Sequence, residues 1–402
     1  MIQTPVYMDN HATTPVDPRV LEAMWPYFSQ RYGNPGSASH VFGWEAEEAV
    51  NQARQSIAAA IGAEPREIVF TSGATESNNL AIGGVAQRRE RRPGRIVSCP
   101  TEHKSVLAPI ARLAKRGFQI VWLLMEQDGH PAAGRIKLDQ AAEAIGDDTI
   151  LVSLMLANNE IGVIQPVAEI ARLCQAGGAL LHVDAAQALG KMPLDVRALR
   201  ADLMSFSAHK IYGPKGVGAL YVRGDSPAAA LAPQLVGGAQ ERGRRAGTLN
   251  TPGIVGLAKA IELCLAELPQ EAQRLAAIRN RLYAGLLDEL PDVRLHGPKL
   301  DDPALRLPGN LNCSFPAVDG QALMMAMPEL AVSSGSACAS GEPRPSHVLR
   351  ALGVSDELAR SSLRFGLGRF NTADEADFAA SLVVRAVRRL RGLAPSAHSH
   401  GR

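Results

Sequence analysis

Aromatic side chains make up only 4% of this 402-residue chain, although 46% of it is hydrophobic. Leu, Ile, Val and Ala must therefore fill the interior. An excess of one charge is also missing. The 42 Lys and Arg face 40 Asp and Glu, a formal net charge of +2, so no global field favours nucleic acid as the main partner, and no direct nucleic-acid binding is expected. A small or polar substrate fits this balance better. The five cysteines, Cys99, Cys174, Cys264, Cys313 and Cys338, include no closely spaced pair, and an odd number in a chain this long does not describe a disulfide framework. No Cys/His cluster has zinc spacing, so no metal site is expected. No apolar run approaches the roughly 20 residues that span a bilayer. The segment opening Met1-Ile2-Gln3-Thr4-Pro5 has no basic region followed by an apolar stretch. A cytoplasmic protein without a membrane partner is the expectation, and the length favours two domains.

From Glu67 to Val222 short apolar runs alternate with helical patterns. The strand candidates are residues 68–70, 95–98, 120–123, 150–154, 180–183, 203–206 and 219–222. Runs that are apolar on both faces and separated by helices indicate a mostly parallel sheet in an α/β domain. After Pro252 the pattern changes to helices at 254–268 and 271–290. Strand-like pieces follow at 293–296, 311–315 and 362–365, with a last helix at 374–390. This mixture suggests a smaller α+β domain.

Ligands of parallel sheets gather at the carboxyl ends of the strands, so the residues just after each run are candidate site residues. Thr71-Ser72-Gly73-Ala74-Thr75-Glu76 reads as a small-residue turn opening a helix whose amides would suit a phosphate, although simple capping explains it equally well. Asp184 ends another run, where a carboxylate can keep a pyridine nitrogen protonated or serve as a helix cap. His103 and Asn158 also follow runs, one able to stack on a ring or carry a proton, the other to donate a hydrogen bond. His182, inside its run, reads as a core histidine. Lys210 follows an apolar segment and precedes a Gly/Pro turn, so its amine should project into a cleft, as a Schiff-base lysine requires. Cys338 lies in the small-residue run Ser333-Ser334-Gly335-Ser336-Ala337-Cys338, a loop suited to presenting a thiolate.

These segments carry a family resemblance. Met8-Asp9-Asn10-His11-Ala12-Thr13-Thr14-Pro15, Gly33-Asn34-Pro35, Ser72 to Asn79, Thr101-Glu102-His103-Lys104, Asn158-Asn159-Glu160-Ile161-Gly162, Asp184-Ala185-Ala186-Gln187, Ser207-Ala208-His209-Lys210, Gly247-Thr248, Ser333 to Cys338 and Arg364 to Phe370 run in order along the chain. Together they resemble the pyridoxal-phosphate-dependent cysteine desulfurases of the NifS/IscS type. The resemblance implies a fold type I homodimer of the class V aminotransferase family. Its large α/β domain, residues 15–260, would hold a mostly parallel seven-stranded sheet. Its smaller α+β domain, residues 1–14 and 261–402, would carry the catalytic cysteine loop.

The same resemblance implies roles. Lys210 would be the Schiff-base lysine, Asp184 the partner of the pyridine nitrogen, His103 the residue stacked on the ring and a proton carrier, and Gln187 the partner of the phenolic oxygen. Ala74, Thr75, Ser207, His209 and Thr248 would hold the phosphate end, Thr248 from the neighbouring subunit. Asn158 would contact cofactor and substrate, and Asn34 and Arg364 would position the substrate. Lys210 would move the Cα proton of L-cysteine and Cys338 would attack its sulfur, leaving a persulfide on Cys338 and releasing L-alanine. The implied acceptor is an IscU/NifU-like scaffold for iron–sulfur cluster assembly, with tRNA thiolation as a further use, and any iron–sulfur contact of Cys338 would arise through persulfide transfer. Selenocysteine lyase, another enzyme of the aminotransferase family, or a sulfur-relay binding module are the competing readings. Ala208 stands where the family usually has glycine, and the C-terminal end shows no clear match to the extension that docks a scaffold.

Overall fold

The computed structural model describes residues 2–334 and 345–393. Its strands are β1 (Val6–Tyr7), β2 (Ile68–Thr71), β3 (Arg95–Ser98), β4 (Gln119–Trp122), β5 (Thr149–Met155), β6 (Leu180–Asp184), β7 (Leu203–Ser207), β8 (Gly218–Val222), β9 (Arg294–Leu295), β10 (Asn310–Ser314), β11 (Leu330–Ala331) and β12 (Ser362–Gly366). A seven-stranded sheet in the order β2-β8-β7-β6-β5-β3-β4 contains all seven runs expected between Glu67 and Val222. Only β8 runs antiparallel to its neighbours. The mostly parallel α/β architecture is therefore present.

Alternating side chains of each strand feed two cores, one on each face. Leu181, Val183, Met204 and Phe206 face the helices Val41–Ala60 and Val167–Gly177 and the first part of Thr251–Glu289. Leu151, Leu203 and Leu220 face the helices Ala74–Gln87 and Lys104–Ala114. His182 shares that second face. It is fully buried between the hydroxyls of Ser153 and Ser205, at 2.8 and 2.9 Å, as expected of a core histidine.

A third core, built on Leu282, Leu286, Leu311, Phe315, Leu363, Phe365, Val383 and Val387, lies under a three-stranded antiparallel sheet, β12-β10-β9, and the helix Ala373–Leu393. The two helices expected at 254–268 and 271–290 are one continuous helix, Thr251–Glu289, with Pro269 inside it. Its first half packs Ile254, Leu257 and Ile261 into the large core, and its second half packs Ile278, Leu282 and Leu286 into the third. Packing at both ends outweighs the one backbone hydrogen bond a proline removes, a penalty of about 3 kcal/mol in a helix interior. The expected boundary near residue 260 falls within this helix. Among the described residues no helix is long and apolar enough to cross a membrane.

Two features at the upper edge of the large sheet position the site. Residues 8–10 run along β12, with Gly366 donating to the Met8 carbonyl at 2.7 Å and Asn10 donating to the Gly366 carbonyl at 2.9 Å. The chain then crosses to the end of β7, where Thr14 donates to the His209 carbonyl at 2.9 Å. At the end of β2, Gly73 adopts a φ of 148°, a left-handed value that favours glycine. Gly218 on β8 is what lets this turn lie against the sheet. A Cβ there would sit 2.4 Å from the Phe206 carbonyl oxygen and 2.6 Å from the Gly73 Cα, both backbone atoms that cannot yield cheaply. Gly218→Ala is expected to lose about 1–3 kcal/mol of stability through overpacking, read as a lower urea midpoint, and to weaken whatever binds at the Gly73 turn.

Candidate active site

A cavity of about 480 Å³ opens at the carboxyl ends of the parallel strands, a size within the roughly 300–1,000 Å³ of small-molecule sites. Ala74, Thr75, His103, Asp184, Gln187, Ser207, His209, Lys210 and Arg364 all line it. Four separate strand ends, those of β2, β3, β6 and β7, and the strand β12 thus bring one set of expected residues together.

Asp184 ends β6 and is buried. An ionised carboxylate only accepts hydrogen bonds, so every neighbour must donate. The Ala186 amide donates at 3.0 Å and Asn78 Nδ2 at 2.8 Å. The second hydrogen of Asn78 Nδ2 goes to Ser105 Oγ at 2.9 Å, which leaves the Ser105 hydroxyl proton for His103 Nδ1 at 2.7 Å. His103 also caps the helix Lys104–Ala114, its Nδ1 accepting from the Ser105 amide at 3.1 Å. Nδ1 therefore carries a lone pair, and the ring proton of neutral His103 sits on Nε2. Burial, with the positive charges of Lys210 and His347, lowers the His103 pKa against the opposing pull of Asp184. The ring is held neutral in one tautomer.

The opposite end of the cavity is rich in donors. The helix Ala74–Gln87 begins at Gly73 with no side chain capping it, so the amides of its first turn and the positive end of its dipole face the cavity lining. Ser207 lies beside this turn, its Oγ 3.6 Å from where a Gly73 Cβ would be. His209 Nδ1 meets Thr13 Oγ1 at 3.1 Å, and burial, followed by the charges of Lys210 and Lys215, pushes its pKa down to about 4. A neutral His209, hydroxyls and open amides suit a phosphate.

Between these ends lies Lys210, whose Nζ donates to the carbonyls of His11 at 2.9 Å and Ala12 at 2.6 Å. Gln187 Nε2 donates to the same His11 carbonyl at 2.8 Å. The residues present fit an aldehyde cofactor with a ring nitrogen and a phosphate: a carboxylate at one end, an uncapped helix start at the other, and a primary amine between them.

Arg364, on β12, pairs with Asp9 Oδ1 at 2.7 Å, while the Ser333 hydroxyl donates to Asp9 Oδ2 at 2.7 Å. Ser333 and Arg364 also form an antiparallel bridge. These contacts fix the orientation of the guanidinium at the cavity wall. Cys338 lies outside the described residues. The other four cysteines are free and buried, and burial pushes the thiols of Cys99, Cys174 and Cys313 up to about 12 and that of Cys264 to about 11.

Three expected residues do not line this cavity. Asn158 is fully buried and committed to its own turn, its Oδ1 accepting from Glu160 and Ile161 and its Nδ2 donating to the Thr101 carbonyl at 3.1 Å. Its neighbour Asn159 lines the cavity instead. Asn34 and Thr248 are both solvent-exposed. Asn78, Ser105 and the His11 carbonyl had no expected role. Asn78 and Ser105 each stand a helical turn or less past a strand-end residue, the one signal that pointed to them. No group of His, Cys, Asp and Glu among the described residues could hold a metal ion.

A family model described as Aminotransferase class-V matches residues 6–378. The chain is 53% identical over 394 residues to a protein named cysteine desulfurase IscS from Anaeromyxobacter dehalogenans, covering 98% of this chain and 95% of that one. A solved structure titled NifS-like protein superposes with a TM-score of 0.87 at 38% identity, covering 96% and 99% of the two chains. Another, titled SspA in complex with cysteine, gives 0.78 at 37% identity over 91% and 99%. The hydrogen-bond polarity running from Asp184 predicts the state of His103. Nitrogen-15 spectra of histidine-labelled protein, assigned with His103→Gln, should show an Nε2–H tautomer that resists protonation below the usual histidine range. Ser105→Ala, which removes one donor to Nδ1, should raise its pKa.

Proposed function

The chain belongs to the class-V aminotransferases, and from that premise we propose that it is a cysteine desulfurase that uses pyridoxal phosphate to convert L-cysteine to L-alanine and passes the sulfur to Cys338 as a persulfide. The observation that carries this reading is the meeting of Lys210, Asp184, His103 and Arg364 around one cavity at the carboxyl ends of the strands. When bound, pyridoxal phosphate supplies an aldehyde that condenses with amines and a protonated ring that draws electrons from the substrate Cα.

The chain's own residues do the rest. Asp184, fixed by Asn78 and the Ala186 amide, holds the ring nitrogen protonated. The first-turn amides at Ala74 and Thr75, with Ser207 and His209, hold the phosphate. Gln187 donates to the phenolic oxygen. Lys210 would hold the aldehyde carbon of the cofactor, and its free amine would move the proton at the substrate Cα. His103 would pack on the ring as a neutral Nε2–H donor, and Arg364 would take the substrate carboxylate. Asn159, which lines the cavity and whose carbonyl accepts from Arg364 at 3.4 Å, would contact the substrate in place of Asn158. Cys338 attacks the substrate sulfur as a thiolate. The C–S bond breaks, its electrons go to the carbon that becomes alanine, and the sulfur stays on Cys338 until a thiol or an acceptor protein reduces it. The raised thiol pKa values of the four buried cysteines support Cys338 in that role. The acceptor in this reading is a scaffold for iron–sulfur cluster assembly.

A second copy of the chain belongs to the reading. Trp25, Phe28, Tyr32, Phe42 and Trp44 are 46–64% exposed, and the rings of Tyr32 and Phe42 stack at 5.6 Å beside Asn34. Such a concentration of rings on the surface of a chain poor in aromatics marks an interface. Asn34 and Thr248, solvent-exposed on this chain, would then serve the partner's cavity. Light scattering should give twice 42.7 kDa, and Trp25→Glu combined with Phe28→Glu should yield monomers that take up cofactor weakly.

Purified protein given L-cysteine and a reductant should release alanine and sulfide in equal amounts while showing visible cofactor absorbance. Cys338→Ala should keep the absorbance and lose alanine release. Lys210→Ala should lose the absorbance of the bound aldehyde. Absorbance without either product would defeat the desulfurase reading.

A further inference from the structure

Behind the cavity lies a lysine with no part in the chemistry above. Lys191 follows the turn after β6, four residues beyond Gln187, and its Nζ donates to Gln187 Oε1 at 2.6 Å. Gly190 makes this approach possible. Its φ is +69°, and a Cβ there would lie 2.8 Å from the Cys264 Cβ. Lys191 lines a separate small cavity of about 40 Å³ with His11, Tyr212, Cys264, Glu271 and Arg369, roughly room for a few waters.

Donor counting fixes what this contact does. The His11 carbonyl can only accept, so the Gln187 atom facing it at 2.8 Å is the amide nitrogen. The amide oxygen is thereby turned toward Lys191 and can only accept, so Nζ donates to it whether or not the amine carries its third proton, alongside His11 Nδ1 at 3.1 Å. One Nε2–H of Gln187 is used on His11, and the other is left for an acceptor in the cavity that Gln187 lines. The His11 carbonyl also accepts from Lys210, so Lys191, Gln187, the His11 carbonyl and Lys210 form one hydrogen-bonded chain between two lysines.

We infer that Lys191 is a positioning residue that acts through Gln187: it holds the amide so that an N–H faces the cofactor's phenolic oxygen and places a positive charge behind that bond. This rests on the cofactor assignment above and on no later step. Burial, then the charges of Lys210 and Arg364, lower the Lys191 pKa to about 7, with Cys264 opposing them. Other groups facing it are His11, held neutral by burial, and Tyr212, Glu271 and Arg369 across the small cavity. A positive charge behind the phenolic oxygen favours its ionised form.

The test is the pH midpoint of the visible band of the holoprotein, with cofactor affinity measured beside it; neither needs cysteine. Lys191→Met should raise the midpoint by about one pH unit and weaken cofactor binding several-fold, and Lys191→Arg should restore the wild-type midpoint. In a Gln187→Ala background, Lys191→Met should shift the midpoint less than it does in the wild type, since the share carried through the amide is gone and only the through-space charge remains. Thermal melting separates these effects from misfolding, which would lower the melting point and leave the midpoint of the folded fraction in place. An unshifted midpoint in Lys191→Met, or an equal shift with and without Gln187, overturns the inference while the desulfurase reading stands. Wild-type protein that takes up no pyridoxal phosphate overturns both. A holoprotein with the expected shifts that releases no alanine overturns the desulfurase reading alone.

Discussion

A buried carboxylate that can only accept hydrogen bonds organises this site. Asp184 sits buried at the end of a central strand, where each neighbour must supply a proton. That requirement orients Asn78, then the Ser105 hydroxyl, then the imidazole of His103. The chain of polarity crosses from a strand end to two helices without a mobile proton along it. Ser205 and Ser153 hold His182 on the same sheet face below it, so the floor under Asp184 is a fully paired polar stripe and not a gap in the apolar packing.

The second organising group is the carbonyl of His11, which accepts from both Lys210 and Gln187. It belongs to a segment that pairs with β12 of the small sheet before it crosses to β7. Arg364 comes from β12 itself and is held by Asp9 of the same segment. The amine, the amide and the guanidinium are therefore registered by one short stretch of chain. Its carbonyls hold the amine and the amide, and its Asp9 carboxylate holds the guanidinium.

These two groups separate what is legible in the sequence from what is not. All seven central strands are apparent because each is an apolar run bounded by turn residues, and all but the edge strand β4 are buried almost throughout. Lys210, Asp184 and His103 are legible for the same reason: a polar residue directly after such a run stands where a parallel sheet opens its binding crevice. Asn78 and Ser105 are not, because an Asn or Ser in a helix start reads as capping, and its partner lies over a hundred or tens of residues away. Asn158 illustrates the reverse case. It follows a strand, yet the turn it closes consumes its whole amide and leaves Asn159 facing the cavity. The junction at Pro269 misleads because a proline ends most helices, and only the two cores at either end reveal why this one continues. The role of the His11 carbonyl is invisible to sequence by nature, since every residue carries one.

The helix Thr251–Glu289 has a mechanical meaning beyond packing. Because one unbroken rod is anchored in both the large core and the third core, the two sheets cannot swing apart about a flexible joint in that connection. Lys210, beyond a strand of the large sheet, and Arg364, on a strand of the small one, are thus tied together twice, by this helix and by the segment of residues 8–14.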